Sequence, residues 1–549
     1  MQARSTPLAA PLNPRPLLRA VGECCRSPHI LLLGALVAMV GALRFVHLGA
    51  DFPNDSPWMI DQAKFTDEGW WAGAAVMHFL TGHWYVSGDY NPAVVLPVWP
   101  LLLGVIFHFT GVSVVAARAL TAAISLASVV LVYALVRRYE VSGSGFPALA
   151  AAALLAFSPI AFAFSRLAIL DTLVVFEFCL ALLLASAAKR NRFWPWPALA
   201  AVITLMLLTK TTSAALLPAI LWLAWAASGR SWTGFLRAAL AVAAVPAILC
   251  VGYVALVSAL GYGADYNYFF AINALEDFVW RQSFTTFMEL LQNGFWIDRV
   301  LYPAALVILI LAIAWLRRLW LNPLFGASWL AIAAQAGYIF RLQEDYAPRY
   351  FLVMLVPAIC VVILALDDLA LRCAEASPSR PAKPGAMDAG GRWANLLDWS
   401  GSPKVNSSPI RFRVPLAVLL AVILVSVAIN GWMIQEFIAH PVYQFRDAAN
   451  SIQAIVRGDS HQNPWILGVS GAQLSLMSGI PSLNDGYGTE DLGEKVARYQ
   501  PGWYLVWTGV PADPAFLSQY QLEESAAYPV FDDDGRTPLI LYKLVSRTR

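Results

Sequence analysis

The chain has 549 residues, 59% of them hydrophobic and only 13% charged, with a formal net charge of +2. Soluble domains run at about 45–50% apolar and about 25% charged, so this balance excludes an ordinary soluble protein and indicates an integral membrane one. Near-neutrality gives no footing for nucleic-acid binding.

Residues 1–28 are Pro- and Arg-rich and read as a cytoplasmic tail without a cleavable signal peptide. A spanning helix needs about 20 mostly apolar residues. Such runs lie near 29–48, 114–136, 146–164, 167–188, 194–209, 212–229, 235–259, 300–316, 321–339, 350–367 and 412–433. The expected fold is therefore mostly α, a polytopic membrane protein of about eleven transmembrane helices. A transmembrane region 29–367 includes a first outer loop, 49–113. Arg4, Arg15, Arg19 and Arg26 precede the first span and place the N-terminus in the cytoplasm. Arg137 and Arg138, Lys189 to Arg192, Arg230 and Arg237, and Arg317 and Arg318 then share that side only if 93–110 does not cross. That stretch reads as an interfacial helix of the first outer loop.

The linker 368–411 is basic and rich in Pro, Ser and Gly, which marks it as cytoplasmic with little fixed structure. Residues 440–549 follow the last span and form a small extracytoplasmic α/β domain. Within it "PWILGVSG", "WYLVWTGV" and "TPLILYKLV" read as strands, "DDDG" as a hairpin turn, and 441–457 as a helix. "VSGAQLSLMSGIPSLNDGYG" reads as a strand-to-helix connection. The six cysteines, Cys24, Cys25, Cys179, Cys250, Cys360 and Cys373, show neither metal-ligand spacing nor a disulfide framework.

The remaining charges carry the functional signal. "FTDEGWW" sets Asp67 beside Glu68 just past the first span, and Arg118 begins the second. "FSRLAILD" places Arg166 and Asp171 in an outer turn, "LTKTTS" places Lys210 in another, and "YAPRYF" places Arg349 and Tyr350 where a late span starts. Polar groups at the edge of hydrocarbon are costly and mark a site by default. Lys210, Arg349, Arg118 and Arg166 would hold a lipid phosphate through charge-assisted hydrogen bonds. Asp67 or Glu68 would take a proton from an attacking hydroxyl, and Asp171 would orient a cation. Each has a plainer role as well. Asp67 and Glu68 suit the N-terminal dipole of a helix at 68–80, Arg118, Lys210 and Arg349 suit interfacial anchors, Arg166 and Asp171 suit a structural ion pair, and Tyr350 suits an aromatic belt. Asp67, Glu68 and Asp171 are also candidates for a divalent cation, although no His or Cys cluster supports one, so no metal ligand is assigned.

These motifs resemble the polytopic GT-C glycosyltransferases, in particular the protein O-mannosyltransferase and lipid A aminoarabinose transferase families. The resemblance rests on "FTDEGWW", "SRLAILDTLVVFEF", "RYFLVMLVP", "NPAVVLPVWPLLLGVIFHFTGVSVVAARAL" and "LTKTTSAALLP", and covers roughly residues 25 to 230 with a weaker echo at 340–360. It implies transfer of a single sugar from a polyprenyl-phosphate donor to a hydroxyl of a protein, lipid or polysaccharide acceptor on the extracytoplasmic face, usually with inversion. By that resemblance Asp67 is the catalytic carboxylate with Glu68 in support, Lys210, Arg118, Arg349 and Tyr350 bind the donor phosphate, and Asp171 organises the site. It also implies a multi-pass protein of a bacterial inner (plasma) membrane. Aminoarabinose transferases usually carry an Arg three residues after the first-loop Asp, where this chain has Trp70. The WWDxG signature of oligosaccharyltransferases is absent from 440–549, which argues against transfer of a whole glycan. A transporter or flippase for an anionic lipid is the alternative; it predicts internal repeats and polar groups near the midplane. A non-catalytic scaffold leaves the converging charges without a role.

Overall fold

Apolar runs become helices here, and prolines and glycines decide where they break. A computed structural model describes residues 28–52, 66–189, 192–273, 278–285, 287–288, 298, 300–314, 317–342, 348–375, 410–468, 470–506, 516, 519–530 and 538–546. Among these, six helices are long and apolar enough to cross a bilayer: Pro28–Phe45, Val114–Arg137, Leu170–Ala187, Trp232–Ala259, Pro323–Arg341 and Arg349–Arg372. The helical elements in chain order are α1 (Pro28–Phe45), α2 (Asp67–Thr81), α3 (Val98–Thr110), α4 (Val114–Arg137), α5 (Phe146–Ala156), α6 (Pro159–Phe164), α7 (Leu170–Ala187), α8 (Pro195–Thr209) and α9 (Leu217–Ala227). They continue with α10 (Trp232–Ala259), α11 (Gly263–Ile272), α12 (Leu301–Ala314), α13 (Pro323–Leu342), α14 (Leu352–Glu375), α15 (Ile410–Ala439), α16 (Gln444–Gly458), α17 (Gly471–Ser478) and α18 (Leu492–Tyr499).

The run 146–164, expected as one span, is two helices. Ser158 is extended, its hydroxyl accepts the Ala161 N–H, and Pro159 opens α6 without an N–H to continue the α5 ladder. The helix α3 has 13 residues, about 20 Å at 1.5 Å per residue, short of the roughly 30 Å hydrocarbon core. It buries Trp99, Leu103 and Phe107 in the apolar cluster that also holds Ala72, Ala75 and Val76 of α2. The spine of the bundle is α14, 89% buried over its most apolar window. At the other extreme α10 presents Ile248 and Val251 outward, each 68% exposed, as a lipid-facing helix would. Cys179, Cys250 and Cys360 are free thiols on helices. The tail 1–27, most of the linker 368–411, the "DDDG" turn and the end of "WYLVWTGV" lie outside the described residues; residues 368–375 continue α14.

Residues 444–546 build the α/β unit expected from sequence. Its strands are β1 (Ile466–Leu467), β2 (Ser482–Leu483), β3 (Trp503–Val506), β4 (Tyr520–Tyr528) and β5 (Leu539–Ser546), in the order β2-β1-β3-β5-β4. The first three are parallel, with α17 and α18 as crossovers, and β5 and β4 add antiparallel. The strand β4 is not evident in the sequence, because "YQLEESAAY" is polar; its residues are mostly exposed. The amphipathic α16 buries Phe445, Ala449, Ile452 and Val456 beneath the sheet.

This unit docks on the first loop rather than standing apart. Gly69 N–H donates to Gln473 Oε1 at 2.8 Å, and a Cβ on Gly69 would lie 2.1 Å from the Gln473 nitrogen, so only glycine lets α2 meet α17. The Tyr499 hydroxyl donates to the Ser87 carbonyl at 2.9 Å, and Glu490 N–H to the Gly88 carbonyl at 3.0 Å. Asp89 accepts the Asn484 N–H at 3.0 Å and pairs with Lys495 at 3.2 Å, both side chains buried. Burial pushes the Asp89 carboxyl up to about 6, with Lys495 pulling the other way. Above its unfolded value of 3.8 the folded state holds the extra proton, so the stability Asp89 contributes is largest at low pH and falls as pH rises through about 6. In Lys495→Met a charged Asp89 is buried unpaired, and docking should weaken by about 3–5 kcal/mol at pH 8. At pH 5, where Asp89 takes a proton, the loss should be smaller. Amide exchange of β1–β3 relative to wild type at each pH measures this; equal losses would contradict it.

Candidate active site

Two carboxylates adjacent in sequence at the start of α2 point to different partners. Glu68 is fully buried and meets Arg118 in a two-pronged pair, Nε to Oε1 at 2.8 Å and Nη2 to Oε2 at 2.6 Å. Its Oε1 also accepts the Ala168 N–H at 2.7 Å and its Oε2 the Gln473 amide at 3.0 Å. Arg118 spends its other nitrogen on the Leu48 and Ala50 carbonyls, at 3.0 and 2.6 Å. Arg118, expected at the donor phosphate, has 1% exposure and is engaged by Glu68 and by the chain leaving α1.

Arg166, also expected at the donor phosphate, is likewise engaged by protein groups. It donates to the Leu43, Arg44 and His47 carbonyls at 3.2, 3.0 and 2.9 Å, and lies over the Phe162 and Phe437 rings. These are the last carbonyls of α1, where a cation offsets both the orphan acceptors and the helix dipole. Asp171, expected as its ion-pair partner in the plainer reading, pairs with Lys210 instead.

The other predicted residues converge. Asp67, with 10% side-chain exposure, pairs with Arg349 at 2.7 Å and accepts the Thr66 hydroxyl at 3.1 Å. Lys210, at the break between α8 and a 3-10 turn (Thr211–Leu216), pairs with Asp171 in the first turn of α7 at 2.7 Å. Between the two pairs stands Tyr350, its ring 5.1 Å from Lys210 Nζ and 5.6 Å from the Arg349 guanidinium. Asp171, Lys210, Thr212, Ser213, Gln335 and Tyr350 line one cleft, closed on its apolar side by Val174 and Val353. The outcome is a row, Asp67–Arg349–Tyr350–Lys210–Asp171, in which each cation is partly exposed and each carboxylate neutralises one.

Sequence reasoning missed three contributors. Gln335 donates to the Tyr350 carbonyl at 3.4 Å; as a polar residue inside an apolar span it carried a legible signal. Thr212 and Ser213 stand in the "LTKTTS" stretch quoted for Lys210. Gln473, which ties Glu68 to the C-terminal unit, had no local signal. Among the described residues no three His, Cys, Asp or Glu side chains converge as a metal site. Asp67, Glu68 and Asp171 each face a protein cation instead.

Residues 92–255 match the family model for dolichyl-phosphate-mannose-protein mannosyltransferases. Among solved structures the chain resembles ArnT from Cupriavidus metallidurans bound to undecaprenyl phosphate, with 16% identity, 94% of this chain and 98% of that one covered, and a TM-score of 0.56. The apo state of the same protein gives 16%, 92%, 97% and 0.55. The chain has the GT-C fold. The resemblance read from the sequence therefore holds at the level of the fold. Among curated proteins no sequence matches this one. In a GT-C frame the row of five groups lies where the first loop, the α8–α9 break and the start of α14 meet.

The two carboxylates of α2 should separate in mutagenesis. Glu68→Gln removes one half of a buried charge pair and should destabilise the protein by about 3–5 kcal/mol. Asp67→Asn should cost less than Glu68→Gln, because its partner Arg349 retains 13% exposure where Arg118 has 1%. Thermal unfolding of the two variants in lipid nanodiscs checks the ranking, and equal melting shifts would contradict it.

Proposed function

We propose that this protein is a membrane glycosyltransferase that moves a single hexose or pentose from a polyprenyl-phosphate donor to an acceptor hydroxyl. The observation that carries this reading is the row in which Lys210 and Arg349 flank the Tyr350 ring, Lys210 and Tyr350 sharing one cleft and Arg349 paired with Asp67. Two cations and an aromatic ring at a membrane-boundary helix start suit a phosphate on a lipid tail. The ArnT likeness supports it, since that protein is described bound to undecaprenyl phosphate, and so does the mannosyltransferase model over 92–255.

The chemistry follows from the groups present. The acceptor oxygen attacks the anomeric carbon as Asp67 takes the hydroxyl proton. The bond from that carbon to the phosphate oxygen breaks on the opposite face, its electron pair leaving with polyprenyl phosphate, so the anomeric centre inverts. Phosphate is already a stable anion and needs no general acid. Lys210 and Arg349 stabilise the charge that develops on it. In the free protein both cations are held by Asp67 and Asp171, so donor phosphate competes with these carboxylates. Its arrival at Arg349 releases Asp67 to accept the hydroxyl proton, and Asp171 keeps Lys210 in place. Glu68 and Arg118 position Asp67 rather than touch substrate. On the basic-loop pattern the row faces the extracytoplasmic side of a plasma membrane, with the N-terminus in the cytoplasm.

Membranes holding the protein, a panel of radiolabelled polyprenyl-phosphate sugars and an envelope extract test this. Asp67→Asn should lower transfer by roughly 10²–10⁴-fold while undecaprenyl phosphate still binds. Lys210→Ala should weaken that binding. Labelled lipid crossing the bilayer without transfer to any acceptor would move the assignment to a transporter.

A further inference from the structure

A second cleft opens along α2. It lies between α2, the segment 84–92 and α17, and Trp70, Gly73, Tyr90, Ser475 and Ser482 are among its walls. Along α2 the positions 67, 70 and 74 recur at i, i+3 and i+7, so Asp67 stands on the same stripe that lines the cleft, one turn from Trp70. Burial and the Asp67 carboxylate both push the Tyr90 hydroxyl up. We propose that this cleft is the acceptor subsite and that it takes a neutral sugar ring, whose hydroxyl it delivers to Asp67. This rests on the transferase reading above and adds to it the chemical class of the acceptor.

Three observations select a sugar. Trp70 and Tyr90 meet at 5.5 Å and 80°, a corner of two aromatic faces, and Tyr487 closes on Trp70 at 5.5 Å and 72°. A pyranose offers apolar C–H faces to such rings and hydroxyls at its rim, here toward Ser475 and Ser482. Secondly, the only charged side chain lining the cleft among the described residues is Asp89, and Lys495 already neutralises it. A headgroup phosphate or a charged peptide would find no partner. Thirdly, the long walls are helices α2 and α17, whose backbone groups are engaged internally, and the edge strand β2 reaches the cleft only through Ser482 of its two residues, too short an edge for an extended peptide to pair with. Gly73 keeps the space open: a Cβ built on it meets nothing within 4 Å. A larger residue there projects into the cleft without displacing backbone, and it also suits a helix interior better than glycine.

Saturation-transfer NMR on the full chain in lipid nanodiscs tests this with two independent probes. Methyl glycosides of common hexoses and pentoses report on the cleft, and undecaprenyl phosphate reports on the row. Saturation should reach the ring protons of at least one glycoside and fall at least about five-fold in Gly73→Phe. Trp70→Ala should reproduce that loss, and both variants should bind undecaprenyl phosphate as wild type does, which shows that they are folded. Absent glycoside signals, or signals unchanged in Gly73→Phe, would overturn the subsite. So would a neutral Ser/Thr tripeptide that binds in place of the glycosides and is excluded by Gly73→Phe. If wild type binds a glycoside in this way but not undecaprenyl phosphate, the sugar site stands and the donor reading fails.

Discussion

One buried ion pair sets the geometry of everything around it. Glu68 and Arg118 meet through two short hydrogen bonds, and the same carboxylate also accepts from Ala168 and Gln473. Four elements far apart in sequence are thereby fixed to one side chain: α2, α4, the turn before α7, and α17 of the C-terminal unit. A buried pair of this kind gives little net stability over apolar packing, because desolvation takes back much of the attraction. Its value here is positional. With Glu68 held, its neighbour Asp67 is directed to the opposite side of the first turn of α2, toward Arg349.

The row beyond it is built from charges that compensate one another. Asp67 neutralises Arg349 and Asp171 neutralises Lys210, so the free protein leaves no bare cation of this row against the membrane. Such pairs are only partly screened from solvent, which makes them exchangeable in a way that the Glu68–Arg118 pair is not. On the proposed reading the donor's phosphodiester brings one negative charge and gains a second as the sugar leaves, so both cations act most strongly as the bond breaks. The same proposal couples donor binding to the uncovering of Asp67. The Tyr350 ring lies 5.1 Å from Lys210 Nζ and 5.6 Å from the Arg349 guanidinium, and so links the two ion pairs.

The parts of this site that are legible in the sequence share a physical cause. Charges in an apolar chain are costly, so Asp67, Glu68, Arg118, Arg166, Asp171, Lys210 and Arg349 stand out by their residue type and position alone. Their number is informative, but their pairing is not. Structural and functional roles compete for each residue, and the fold separates the residues: Arg118 and Arg166 are engaged deep among protein groups, while Lys210 and Arg349 stand on either side of the Tyr350 ring. Partner choice depends on how α2 rotates over α4 and α14, which no local pattern encodes. The helices themselves follow hydropathy, and departures come where a cap overrides it, as at Ser158 and Pro159. Strands β1, β3 and β5 of the C-terminal unit are visible as apolar runs, whereas polar β4 and the two-residue β2, within "VSGAQLSLMSGIPSLNDGYG", are not. Its docking through Gly69 and Gln473 is also hidden, since a close backbone approach leaves no trace beyond a single glycine.

The central claim of the proposed function is that donor phosphate displaces Asp67 from Arg349 while Asp171 keeps Lys210 in place. A cryo-EM structure of the full chain with undecaprenyl phosphate tests it most directly. The account predicts phosphate oxygens within hydrogen-bond distance of Lys210 Nζ and the Arg349 guanidinium, with the Asp67–Arg349 contact opened from its present 2.7 Å. A phosphate seated elsewhere, with both ion pairs of the row intact, would contradict it.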